Sequence, residues 1–78
     1  MKKFELLPEF IKFLESELLL DEGEITAESE FRSLRTWSSL NALIIISRIN
    51  EECDIIVTAS DLAKCKTVSE LHNLILTK

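Results

Sequence analysis

Glycine and proline are almost missing from this chain of 78 residues, which holds one of each. Multi-stranded sheets need tight turns, and tight turns draw on those two residues, so the scarcity points away from an all-β fold. Tyrosine is absent and histidine occurs once, at His72. No second titratable group stands beside it to form an acid–base pair, and with Leu71 and Leu74 as neighbours it reads as a residue on the rim of a core. The two cysteines, Cys53 and Cys65, are too few for a disulfide framework and lack the second pair of a zinc site. Set among apolar neighbours, they read as small buried hydrophobes. No apolar run approaches the ~20 residues that cross a bilayer, so no membrane insertion is expected. Glu5 and Glu9 break any signal-peptide core in MKKFELLPEF, from which a cytoplasmic location is expected. With no glycine-rich phosphate loop and no metal-ligand cluster in the sequence, an enzyme is not expected.

What is present describes a folded chain. Apolar residues make up 46% and charged residues 29%, a balance that buries a core rather than leaving the chain disordered. The length predicts a single domain over residues 1–78, with a modest core and a thin stability margin. The net charge of −5 is uneven: residues 1–30 hold nine acids against three bases, whereas residues 31–78 hold five acids against six bases. An acidic chain repels phosphate backbones, so nucleic acid is not an expected partner.

Helical periodicity dominates. Phe4, Leu7, Ile11, Leu14 and Leu18 recur at spacings of three and four, one face of a helix that starts between residues 3 and 7 and ends near Leu19. Glu5, Glu9, Lys12, Glu15 and Glu17 fall largely off that face. Pro8 fits near the start, where its missing N–H has no acceptor to lose, and Gly23 reads as the stop signal. Residues 20–37 form a long connection in which Ile25, Phe31, Leu34 and Trp37 are spaced as anchors to the core. A second helix begins at Ser38 or Ser39, since serine is a favoured N-cap, and ends near Cys53. Leu43, Ile46 and Ile49 mark its inward stripe, with Leu40 and Cys53 near the ends. Ile55, Ile56 and Val57 are β-branched but have no strand to pair with, so they read as an extended connector. Thr58 and Asp61 have capping-box spacing before a short helix around Ser60–Lys64. Thr67 and Glu70 form a second box before a final helix with Val68, Leu71, Leu74 and Ile75 inward. The expected fold is all-α: a four-helix bundle of three longer helices and one short, with a long loop after the first.

The order and spacing of FRSL at 31–34, Trp37, Ser38-Ser39-Leu40 and DLAKCKTVSEL at 61–71 resemble the acyl carrier protein family over nearly the whole chain. That family consists of small acidic four-helix bundles with an Asp-Ser-Leu signature at the start of the second helix. The resemblance implies that Ser39 carries a covalent 4′-phosphopantetheine arm, whose thiol holds an acyl or aminoacyl cargo as a thioester. A helix N-terminus suits that linkage, because unpaired N–H groups and the helix dipole favour an attached phosphate. Leu40 would be the packing anchor beside it, and Leu43, Ile46, Val57, Leu62, Val68 and Leu71 would line the core. The implied partners are a phosphopantetheinyl transferase and acyl-loading and acyl-transferring enzymes, served by a discrete monomer that brings its cargo to them on a flexible arm. The pathway class would be fatty acid, polyketide or aminoacyl metabolism.

Two departures from the family pattern are visible. Ser38 stands where the family has an aspartate read by the transferase, so a recognition charge is missing. The outer face of the second helix, acidic in typical members, offers Asn41, Ile44, Ser47 and Arg48, with acids at Glu51 and Glu52. Ser38, Leu40, Leu43, Ile44, Ser47 and Arg48 are therefore the expected partner-recognition residues, with Leu43 and Ile44 as an apolar contact. A carrier-like interaction module that is never modified remains an alternative reading. A Ser39–His72 catalytic pair is the third.

Overall fold

The computed structural model describes residues 4–78. The earliest expected start of the first helix, at Lys3, and the N-terminal lysine pair lie outside them. Four α-helices follow in order: α1 over Leu7–Glu17, α2 over Ser39–Cys53, α3 over Ala59–Lys64 and α4 over Val68–Thr77. Among the described residues there is no strand, and one isolated antiparallel bridge joins Glu30 to Thr67. The architecture is the expected all-helical bundle with a long first loop.

In α1, Pro8 lies in the first turn, where an N–H would have had no acceptor. Its buried face is Phe10, Leu14 and Glu15, with Leu18 just beyond the helix. The register therefore differs from the expected stripe: Leu7 and Ile11 are half-buried flanks. Phe4 is buried, but it precedes the helix in a left-handed conformation (φ 64°). Its ring packs edge-on against Phe10 at 5.7 Å between centroids. Burial of Glu15 corrects the expectation of a solvated acid. Its Oε2 accepts the N–H of Gly23 at 2.8 Å, which ties the loop back to the helix.

Gly23 does not stop α1. The helix closes with Leu19 at φ 55°, where the N–H of Leu20 donates to the Glu15 carbonyl and that of Leu19 to the Ser16 carbonyl. This pair of bonds is the Schellman arrangement, which usually employs glycine at the left-handed position. Gly23 (φ 90°) instead turns the loop.

The long connection is a chain of short turns rather than irregular coil, which is how a loop of this length stays ordered. Asp21–Glu24 and Thr26–Ser29 close locally, and Phe31–Ser33 forms one turn of 3₁₀ helix. Ile25 and Phe31 are buried, and Leu34 and Trp37 pack against the core, as the anchor reading requires. The rings of Phe31 and Trp37 lie 5.1 Å apart. The carbonyls of Ser29 and Ala27 accept the N–H groups of Val68 and Ser69 at the start of α4. Those donors have no acceptor within their own helix, so loop and helix satisfy each other. Arg32 adds a donor to the Leu62 carbonyl at the end of α3, 2.7 Å away.

In α2 the buried stripe is Ile45, Ile49 and Cys53, flanked by Ala42 and Ile46. This corrects the expected register. Leu43 is not a core residue and Leu40 is not a packing anchor, since both are largely exposed. Val57, Leu62, Val68 and Leu71 are buried as expected. The connector after α2 opens with Asp54 in a left-handed conformation (φ 54°) and holds no regular structure over residues 55–57, and both capping boxes form, Thr58 with Asp61 and Thr67 with Glu70. The connector is held by Asn50, whose Oδ1 accepts the Val57 N–H at 2.7 Å while its Nδ2 donates to the Val57 carbonyl at 3.4 Å. Neither Cys53 nor Cys65 forms a disulfide and both are buried, and burial raises the Cys65 thiol pKa. His72 is buried, not on the rim. One ring nitrogen, Nε2, lies 2.8 Å from the Phe4 carbonyl, and the ring stands beside Phe10.

Candidate functional site

The site is built on the first turn of α2, and the chain enters that turn fixed from behind. Trp37 donates its N–H to the Leu34 carbonyl, and Asn41 Nδ2 donates to the Thr36 carbonyl at 2.7 Å. Asn41 thus anchors to the loop, which sequence reasoning missed because an exposed and an anchoring asparagine look alike in a sequence. Ser38 is the N-cap: its backbone is extended and its Oγ accepts the Asn41 N–H at 3.1 Å. Serine in this place performs the capping that an aspartate would, without the charge.

Ser39 is the first helical residue, and it is exposed. No group among the described residues engages its hydroxyl, because the capping bond belongs to Ser38. The N–H groups of Ser39 and Leu40 belong to the first turn, whose donors point out along the axis with no intrahelical acceptor. An exposed hydroxyl beside outward N–H groups suits a phosphodiester: the oxygen is reachable and the phosphate charge meets the positive end of the helix. The residues present therefore fit a phosphate-linked group at Ser39.

Beyond Ser39, the spacing of Leu40, Leu43, Ile44 and Ser47 puts them on one outward stripe of α2. Leu40 is 67% exposed, Leu43 60% and Ile44 41%. Arg48 leaves this stripe. Its Nε lies 2.8 Å from Glu17 Oε1, so it bridges α2 to α1. Of the expected recognition residues, Leu40, Leu43, Ile44 and Ser47 share one exposed stripe of α2, while Ser38 and Arg48 make bonds within the chain.

Ser39 and His72 do not form a pair. The hydroxyl is exposed at the start of α2, whereas the imidazole is buried on α4 among Phe4 and Phe10. Among the described residues, no group of three or more His, Cys, Asp or Glu side chains could hold a metal ion, and no helix is long and apolar enough to cross a membrane.

Comparison with known proteins adds one finding. A family model described as the phosphopantetheine attachment site matches residues 9–75. No curated protein and no solved structure matches the chain significantly.

Proposed function

The chain belongs to the phosphopantetheine attachment site family, a family of carriers for covalent 4′-phosphopantetheine, and from that premise we propose that the arm is attached at Ser39. The observation that carries this reading is the division of labour between the two serines. Ser38 spends its oxygen on the cap, and Ser39 keeps a hydroxyl exposed at the positive end of a helix of 15 residues. In the attachment step, Ser39 Oγ loses its proton and forms the new P–O bond. The P–O bond to the departing nucleotide breaks, and the nucleotide phosphate takes up the negative charge. When bound, the group supplies a thiol on a long flexible tether. The chain itself fixes where that tether begins and holds the first turn still through Asn41 and Ser38.

On this proposal residues 1–78 act as one carrier domain, monomeric and cytoplasmic. It presents an acyl or aminoacyl group to a transferase and to acyl-loading and acyl-transferring enzymes, and contributes no catalysis of its own. Membrane insertion and nucleic-acid binding are not part of the proposal. Fatty acid biosynthesis is the leading pathway class, with polyketide and aminoacyl metabolism as the others.

Intact mass tests the reading. Incubation with a broad-specificity phosphopantetheinyl transferase and coenzyme A should add one phosphopantetheine to the wild type and to Ser38→Ala, and none to Ser39→Ala. A gain that persists in Ser39→Ala moves the attachment elsewhere. No gain in the wild type, with another carrier modified in parallel, leaves the alternative: an unmodified carrier-like interaction module. The uncharged Ser38, where the family carries aspartate, is the observation that favours that alternative.

A further inference from the structure

An enzyme that reaches the Ser39 hydroxyl must sit over the first turns of α2, and the structure describes what it would meet there. Leu40 adjoins Ser39, and Leu43 and Ile44 lie one turn further along, about 6 to 8 Å up the helix axis at ~1.5 Å per residue. All three are exposed. Scattered surface leucines are ordinary, but these share one stripe, on the side of α2 opposite Ile45, Ile49 and Cys53.

Charge is nearly absent from the same stretch. From Trp37 to Asn50 the one charged residue is Arg48, and its guanidinium is paired with Glu17. The first acid on the outward stripe is Glu51, which lies about 18 Å of helix from Ser39. The Debye length at physiological salt is about 8 Å, so its field is largely screened before it reaches the turn that carries Ser39. Within α2, a partner with a basic patch would find no acid nearer to Ser39 than Glu51.

We propose that the enzyme which loads Ser39 docks on Leu40, Leu43 and Ile44 through an apolar, uncharged surface of its own, and that charge steering contributes little to the encounter. Apolar contact then sets both the affinity and the choice of partner. Enzymes that select carriers through basic residues are disfavoured, because their desolvated cations would go unpaired. The inference rests on Ser39 as the attachment residue.

The test is the steady-state rate of arm attachment, followed by intact mass with a broad-specificity phosphopantetheinyl transferase and coenzyme A. Leu40→Gln and Leu43→Gln change exposed residues, and urea unfolding checks that both fold. Each should lower kcat/KM about tenfold, as expected when one partly exposed leucine no longer enters an apolar contact. Glu51→Gln should leave the rate unchanged. Raising NaCl from about 50 to about 500 mM should change the wild-type kcat/KM by less than about twofold. A steep fall with salt, or wild-type rates in both leucine variants, overturns the docking proposal while Ser39 remains the attachment point. No mass gain under any condition overturns the attachment reading and the docking proposal together.

Discussion

Replacing Asn50 takes apart the joint that holds the α2–α3 connector, and two replacements separate its parts. Asn50 makes both bonds to Val57, a short one from the Val57 N–H at 2.7 Å and a long one to the Val57 carbonyl at 3.4 Å. Val57 is fully buried, so Asn50→Ala leaves its N–H without an acceptor and without water. An orphaned buried donor costs about 1–3 kcal/mol, and the short bond predicts the upper half of that range. Against a total stability of about 4–12 kcal/mol for a chain of this length, that is a large fraction. Asn50→Asp keeps the acceptor and gives up the weak Nδ2 bond, at an added cost of about 0.3–1 kcal/mol for an anion near the C-terminal end of α2. Alanine should therefore cost about 2–3 kcal/mol and aspartate about 1 kcal/mol. Urea unfolding followed by fluorescence of the single tryptophan, Trp37, measures both, and the m-value should stay constant. Equal losses for the two variants, or a loss below about 0.5 kcal/mol for alanine, would refute the claim that the Val57 N–H is what Asn50 protects.

Leu19 is 83% exposed and sits at φ 55°, where a side chain costs about 1–2 kcal/mol. Leu19→Gly should raise stability by about 0.5–1 kcal/mol after the greater chain entropy of glycine is subtracted, and a lower unfolding midpoint in urea would contradict this. Glu24 is held at a pKa of about 2, against an ordinary 4.5, first by the hydrogen bond from Arg35 and then by the backbone N–H of Asp21. A depressed carboxylate stabilises the fold above its unfolded pKa and loses that contribution as pH falls through the folded one. The loss should therefore appear between pH 4.5 and pH 2, and Glu24→Gln should make the unfolding midpoint less steep in that window. Asp61 and Glu70, also depressed, keep part of the slope in the variant. An identical slope in wild type and variant would count against the Glu24–Arg35 assignment.

The elements most legible in the sequence are those with local chemical signatures. Thr58 with Asp61 and Thr67 with Glu70 fix the starts of α3 and α4 through side-chain bonds three residues long, and both boxes form. Ser38 announces the start of α2 for the same reason. The register of α2 was not legible. Leu40 to Ile46 is apolar almost all round, so periodicity could not choose between a stripe through Leu43 and one through Ile45. Packing against the neighbouring elements chose Ile45, Ile49 and Cys53. Burial of His72 and Glu15 depends on partners 68 and 8 residues away, the Phe4 carbonyl and the Gly23 N–H, and no local pattern carries either. The same holds for the loop, since the carbonyls of Ala27 and Ser29 that cap α4 belong to backbone any residue could supply. At the site, the serine pair was legible as a helix start, while the choice of Ser39 over Ser38 came from the resemblance of Ser38-Ser39-Leu40 to the family triplet.

The uneven charge of the chain takes on a different meaning once its acids are traced. Three acids of the N-terminal 30 residues have internal duties: Glu15 holds Gly23, Glu17 holds Arg48 and Glu24 holds Arg35. The Arg48–Glu17 and Arg35–Glu24 pairs lie toward the surface, where solvent and salt screen them, and contribute little stability. Their larger effect is on what α2 and the loop display. With Arg48 drawn toward α1 and Arg35 toward Glu24, the turns of α2 that follow Ser39 present leucine and isoleucine side chains with no unpaired charge among them. An acidic protein thereby carries a nearly neutral helix face beside the exposed Ser39 hydroxyl. On the docking proposal, added salt should act mainly on contacts within the fold, the two surface ion pairs among them, and little on the encounter at that face.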